Sequence, residues 1–474
     1  MNNKEAPRLK RSTMLAFAMG DFYAGGCYNV IAFFYLYFLT SVAGINPLRA
    51  GAIMAIGKVW DAITDPFMGM LSDRTHSRFG RRRPYFLYGV PLIILSFSAM
   101  WFPFSAGGEW GKTIFYTIAF MFCYTVSTMV QVPFIAMRAE LTSDYNERNT
   151  LSAIEMAVSL FSTMVCAMLP YYIYSMFDDL RTGYFVMGVV FSLFFALPLL
   201  ITFFRVKEPE GRPAPERTSV KDMWKEMFST LKVKTFRLYN WMYLGVYIAM
   251  AVVSSVFIYF TQDYLGRTDG TIVLGVLILA EICFIPLANS MCSRRGKGQA
   301  IAFGCALFCL FSLSTLLVHP ASATFLIYLI GAAMGAAFSF AVVGSISSFG
   351  EATDAYELFS GKRAEGTLSG VNQLLYKLCS AIASLLIGWI LKMTGYIEGL
   401  APGLRQPESA LNGVRGIIAV SPFLLLIPAL FAALRFPLTK ERHALLSPLL
   451  AKRRSGEPLD LSEESTLAEM KEVL

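Results

Sequence analysis

Apolar residues run along this chain in long blocks, separated by short stretches rich in Arg, Lys, Asp, Gly and Pro. A helix that crosses the hydrocarbon core of a bilayer needs roughly 20 apolar residues. Twelve blocks reach that length: 14–41, 48–72, 84–105, 110–137, 150–176, 182–206, 235–262, 270–292, 298–319, 322–350, 364–396 and 412–436. The first is too long for a signal-peptide core and lacks a cleavage pattern, so the pattern predicts that it stays in the membrane. The expected fold class is an all-α membrane protein of twelve transmembrane helices.

The longest polar interruption, Arg205 to Lys234, divides the spans six and six. The predicted organisation is an N-terminal tail over 1–13, a six-helix bundle over 14–206, a linker over 207–234, a second six-helix bundle over 235–436 and a C-terminal tail over 437–474. The latter part of the linker reads as a surface helix. The halves echo each other. "TSDYNERNTLS" (142–152) follows span four and "TDAYELFSGKRAEG" (353–366) follows span ten, so Asp144 and Glu147 match Asp354 and Glu357. "RFGRRR" (78–83) and "RRGKGQ" (294–299) follow spans two and eight. A parallel repeat of six spans, related by a pseudo-twofold axis, marks a carrier built from two rocking bundles.

Composition agrees with a membrane protein. The 474 residues are 55% hydrophobic and 16% charged, with a mean hydropathy of +0.53, which leaves too little polar surface for a soluble chain of this size. If both tails are cytoplasmic, 32 of the 41 Lys and Arg residues fall in tails or inner loops. That is the asymmetry of a multi-pass protein of the cell's inner membrane. The net charge of +8 then reports topology, and no nucleic-acid partner is expected. The eight cysteines lie within or at the ends of spans and read as small buried residues rather than disulfides.

Few features suggest other chemistry. His76, His319 and His443 lie outside the span interiors, against a histidine-ligated metal or proton relay. "GGEWGKT" (107–113) has three residues between Gly107 and Gly111 where a phosphate loop has four. No nucleophile elbow or dinucleotide fingerprint is found, so no enzyme activity and no cofactor beyond a coupling ion are expected.

The stretch "GKVWDAITDPFMGMLSDRTHSRFGRRRPY", Gly57 to Tyr85, carries the chemistry. Asp61 and Asp65, four residues apart, share one helix face about 6 Å apart along the axis. An ionised carboxylate in mid-bilayer costs about 2.5 to 3.5 kcal/mol on insertion scales, and two so close raise each other's pKa. A bound cation relieves both penalties. Pro66 lacks an N–H, which frees the Ala62 carbonyl, and Thr64 adds a hydroxyl. Such oxygens suit sodium, and the same carboxylates can instead carry a proton. The alternative is structural, with Lys58 pairing to Asp61. Glu281, deep in span eight, is a further buried acid that either lines a cavity or bonds a neighbouring helix.

"WDAITDPFMGMLSDRTHSRFGRRRPY" resembles the helix-two signature of the glycoside-pentoside-hexuronide:cation symporters, the melibiose permease group of the major facilitator superfamily. "AMGDFYAGGCY" (18–28), "AELTSDYNER" (139–148) and "SGKRAEGTLSGVNQLLYKL" (360–378) resemble that family's helix-one site, four-five loop, and ten-eleven loop with helix eleven. The resemblance implies that Asp61, Thr64, Asp65 and Thr128 hold a coupling cation, Na+ or H+, with Lys377 as counter-charge. It also implies that Asp21 and Tyr28 contact a sugar or glycoside, joined by Gln131, where the family has Asn or Asp. Ile135 and Met156 stand where the best-known galactoside carrier has a stacking tryptophan and a sugar-binding arginine. Glu155, beside the latter, joins the substrate candidates.

Asp73, Arg74, Arg78, Arg81 and Arg82 resemble the superfamily's motif between helices two and three. With Asp144, Glu147, Arg148, Asp354, Glu357 and Arg363 they form the expected gate; the simpler alternative is that the arginines only set topology, and the two readings are compatible. The expected protein is a monomeric symporter in contact with membrane lipids. Transport of an amphipathic lipid, as in an animal branch resembling this family, is the alternative.

Overall fold

A computed structural model describes residues 9–142, 144–208, 220–267, 269–362, 364–401, 404–455 and 457–474. Arg363 and the linker over 209–219 lie outside the described residues. All regular secondary structure among the described residues is helical. It comprises α1 (Arg11–Ala18), α2 (Asp21–Val30), α3 (Pro47–Arg74), α4 (Arg83–Met100), α5 (Gly108–Leu141), α6 (Tyr145–Tyr174), α7 (Leu180–Arg205) and α8 (Val220–Thr230). There follow α9 (Lys234–Ile258), α10 (Gly270–Arg295), α11 (Lys297–Ser314), α12 (Thr324–Ser360), α13 (Glu365–Met393), α14 (Glu408–Leu434), α15 (Lys440–Ser455) and α16 (Leu461–Val473). Among the described residues ten helices are long and apolar enough to cross a membrane: α4 to α7 and α9 to α14. The first expected span is delivered in pieces, α1 and α2 with π-helical turns at Ile31–Tyr35 and Phe38–Val42. The second is α3, which carries Lys58, Asp61, Asp65, Asp73 and Arg74.

The chain divides into two compact units. The first comprises Met1–Glu216, Gly270–Gly275 and Ser384–Leu411, and the second Arg217–Asp269, Val276–Ala383 and Asn412–Leu474. In the first, α3 packs on α5, α4 on α5 and α7, and α2 on α6. Its centre is aromatic: the fully buried Trp101 stacks on Tyr184 at 5.9 Å and meets Tyr35 edge-on at 5.3 Å. In the second, α12 packs along α9 and α11 and also against α15.

Helix ends follow local chemistry. Asn46 accepts from the Leu48 amide and Pro47 opens α3, the ordinary start of a helix. Two glycines with positive φ make the matching turns after α3 and α10, Gly80 at 106° and Gly296 at 98°. The largest departure from the predicted spans is at α12, which continues past 350 to Ser360 and ends on Gly361 in the left-handed region. Ala, Tyr, Glu and Leu there sustain a helix, so Asp354 and Glu357 sit on its last turns and not in a loop. The C-terminal segment, expected only as a tail, forms α15 and α16. Asp460 and Glu463 make a reciprocal capping box at the start of α16.

Candidate functional site

One hydroxyl from α5 bridges the aspartate pair of α3. Thr128 Oγ1 lies 2.7 Å from Asp61 Oδ1 and 3.1 Å from Asp65 Oδ1. A hydroxyl has one proton, so Thr128 donates to one carboxylate at a time. Two oxygens each near one atom at hydrogen-bond distance are within about 6 Å of each other, where two negative charges resist coexistence. Asp61 is 1% exposed and Thr128 2%, while Asp65 is half-buried.

The surroundings fix this geometry. Trp60 Nε1 donates to Thr125 Oγ1 at 2.9 Å, close to Thr128 along α5, and pins the register of the two helices. Thr64 Oγ1 donates to the Asp61 carbonyl at 3.2 Å and keeps its lone pairs available. Pro66 lies inside α3, as the freed Ala62 carbonyl requires. Lys58 Nζ donates to Ser384 Oγ at 2.7 Å. The Tyr28 ring packs 5.5 Å from Tyr124, and its phenol lies in the field of both aspartates. Lys377 is half-buried on α13, about 18 Å along the helix from its start.

A second polar group gathers on α2, α5 and α6. The helix breaks at Met19–Gly20, so Asp21 opens α2, where the positive end of the helix favours an acid. Arg138 Nη1 is 3.6 Å from Glu155 Oε2, and Asp21 lies in the field of Arg138. Glu155 is 3% exposed, and neither of its oxygens accepts a hydrogen bond among the described residues. Its neighbour Met156 is 47% exposed, so the acid is the enclosed side chain of the two. The buried Gln131 Nε2 also lacks an acceptor among the described residues. Buried polar atoms left this way are costly unless a ligand or water meets them. Asp21 and Glu155 therefore offer carboxylate acceptors, and Gln131, two turns before Arg138 on α5, an amide donor, to a hydroxylated guest.

The turn after α3 carries a chain of ion pairs. Arg82 meets Asp73 and Glu140, each at 3.0 Å, and Arg81 meets Glu140 at 2.9 Å. Glu208 closes it by accepting from the Arg81 and Arg82 amides at 2.7 and 3.0 Å. Arg74 and Arg78 are exposed, and Arg78 lies over Phe79. Glu140 and Glu208 are absent from the predicted gate; both stand in motif or linker sequence, but only the fold brings them to the arginines. Asp144 caps α6, accepting from the Glu147 amide at 2.9 Å, and Glu147 takes the Thr142 hydroxyl at 2.6 Å. Arg148 is exposed.

In the second unit, Arg454 of α15 reaches Glu357 Oε2 at 2.6 Å and Asp354 Oδ1 at 3.2 Å, and His443 lies 3.2 Å from Asp354. The C-terminal segment supplies these contacts, and the expected partner Arg363 lies outside the described residues.

Membrane-crossing helices in two compact units, with carboxylates enclosed in mid-span, define a secondary transporter of the major facilitator class. Residues 16–440 match the family described as MFS/sugar transport protein, and the chain belongs to that family. It is 25% identical over 474 residues to a putative glycoside/cation symporter of Escherichia coli K12, across 97% of this chain and 99% of the relative. It is 23% identical over 496 residues to a sodium-dependent lysophosphatidylcholine symporter of Danio rerio, across 97% and 93%. In structure it is similar to the xylose transporter XylE from E. coli, with a TM-score of 0.62 and 13% identity over 91% of this chain and 98% of that one. That likeness shows the fold.

Proposed function

We propose that this protein is a cation-coupled symporter that carries a sugar or glycoside across the cell's inner membrane by alternating access. The observation that carries this reading is the single Thr128 hydroxyl shared by Asp61 and Asp65. Such a site is poor for two bare charges and good for a small cation or a shared proton. Lys377 supplies the counter-charge on the return step, and Thr64 the further oxygen. Asp21, Gln131 and Glu155 receive the cargo. The ion-pair chain at Asp73, Arg81, Arg82, Glu140 and Glu208, with Arg454, Asp354 and Glu357, sets the gate, and both termini face the cytoplasm. The protein works as a monomer, moves its cargo unchanged, and needs Na+ or H+ and no other cofactor.

The test is uptake of labelled mono- and disaccharides by proteoliposomes under a sodium gradient, a proton gradient, or neither. Concentrative uptake of a glycoside under one gradient is expected. The activity for which the Danio rerio relative is named supports a second reading, lysophospholipid transport, which the same vesicles test with labelled lysophosphatidylcholine. Lipid uptake without glycoside uptake would replace the first reading with the second.

A further inference from the structure

The second unit contains a feature that neither the aspartate pair nor the gate uses. Tyr239, Tyr243 and Tyr247 follow one another at every fourth residue of α9 and therefore rise along one face. The Tyr243 and Tyr247 rings lie 4.3 Å apart at 32°, and Tyr376 of α13 meets both nearly edge-on at 6.4 and 6.3 Å. The face is not the one turned outward: Trp241, 58% exposed, stands about 200° round the helix from Tyr243. Tyr243, Tyr247 and Tyr376 nevertheless remain only half-buried, so part of each ring is uncovered.

Glu281 completes the group. It lies near the middle of α10, half-buried and in the field of the Tyr247 hydroxyl. Among the described residues no hydrogen bond or ion pair reaches its carboxylate. Simple packing explains stacked tyrosines but not a half-buried acid at mid-helix whose field reaches Tyr247. Aromatic faces that are apolar across the ring and polar at the tip, within the field of a carboxylate able to accept two hydroxyls, match a sugar ring with its C–H face on the tyrosines. An anionic sugar fits badly, because its carboxylate would meet that of Glu281.

We propose that Tyr243, Tyr247, Tyr376 and Glu281 form a sugar-ring subsite of the second unit that accepts neutral glycosides and rejects hexuronides. This inference rests on the sugar-transport reading and narrows its cargo. Binding is measured on the purified full-length protein in detergent, with a neutral glycoside transported by the wild type and with a hexuronide, and each variant's melting temperature is read beside it. Glu281→Gln should weaken the neutral glycoside about tenfold or more and relax the exclusion of the hexuronide. Tyr247→Leu should cost about three- to tenfold, and Tyr247→Phe less, because the ring face survives. Neutral-glycoside affinity unchanged in both Glu281→Gln and Tyr247→Leu would overturn the subsite while leaving sugar transport standing. Preference of the wild type for the hexuronide would overturn it too. A wild type that moves lysophosphatidylcholine and no glycoside would overturn the sugar reading together with the subsite.

Discussion

The turn after α3 and the turn after α10 share a plan and differ in what hangs on it. Each pivots on a positive-φ glycine, Gly80 or Gly296, and the next residue is a cation. That cation reaches a glutamate near the end of a long helix: Arg81 to Glu140 at 2.9 Å, Lys297 to Glu351 at 2.8 Å. Chain that follows each half's last long helix folds back onto the turn, where Glu208 takes backbone amides and Lys440 donates to the Ser293 carbonyl at 2.9 Å. At the same spacing before each glycine stands a mid-span acid, Asp65 or Glu281. Only the first half adds a second acid one turn earlier, with a hydroxyl to bridge the two. The scaffold is repeated, but the paired carboxylates needed to bind and release an ion are not. That difference is why we propose the coupling site in the first half and a recognition role for the second half's acid.

The strongest way to break that comparison is to neutralise the pair. Asp61→Asn with Asp65→Asn should abolish accumulation above equilibrium, because the ion loses both charged ligands, while exchange across the membrane survives in part. Glu281→Gln should keep coupling and lose only affinity. Full accumulation by the double variant, in vesicles that also report exchange, would move the coupling ion elsewhere.

A smaller effect is expected from the bridge. Thr128→Val keeps the shape and removes a hydroxyl bonded to charge, an interaction of about 1.5 to 3 kcal/mol. Half-saturating sodium or proton concentration should shift by about ten- to a hundredfold, read from uptake against ion concentration. If sodium couples, protons compete for the same carboxylates, so apparent sodium affinity should fall as pH drops. An unshifted ion dependence in Thr128→Val would take the hydroxyl out of the site.

These residues differ in how readable they were. Asp61 and Asp65 announce themselves because charge in an apolar block has few innocent explanations, and spacing alone puts them on one face. Thr128 is indistinguishable in sequence from any packed threonine, and only the resemblance pointed to it. Glu140, Glu208 and Arg454 carry ordinary end-of-helix or tail charge, so their partners depend on contacts across long stretches of chain. The tyrosines at every fourth residue of α9 were visible, yet aromatic residues in an apolar span usually mean packing. The capping box of α16 was also present in the sequence, hidden by the expectation that a polar end is a tail.

The gate offers a more modest test. In the first half the arginines stand in the turn itself, whereas in the second Arg454 comes from α15. Arg454→Ala removes contacts to Glu357 and Asp354 from a side chain that is 41% exposed, so about 1 kcal/mol is at stake. Hydrogen exchange should quicken across α15 and α16 and leave the turn around Arg81 unchanged. Equal protection of α15 and α16 in variant and wild type would show that their remaining contacts, His443 to Asp354 among them, hold them without Arg454.

The smallest effect separates the starts of α3 and α10. Asn46, which caps α3, carries no charge, whereas Asp269 before α10 is bonded to Arg267 at 2.9 and 2.7 Å and to the Tyr328 hydroxyl at 3.0 Å. The hydrogen bonds from Arg267 hold the Asp269 carboxyl below its ordinary 3.8. A depressed acid stabilises the fold in full above its unfolded pKa and loses that contribution as pH falls through the folded one. Acidification below about pH 4 should therefore loosen the first turn of α10 before that of α3. Solvent screens so exposed a pair, and the contribution is about 0.5 kcal/mol or less. Exchange of the amides at the start of α10, followed between pH 5 and 3 with correction for intrinsic rates, should show the change, and Asp269→Asn should abolish its pH dependence. An equal acid response at the start of α3 would mean that a global loosening, and not Asp269, sets the behaviour of both helix starts.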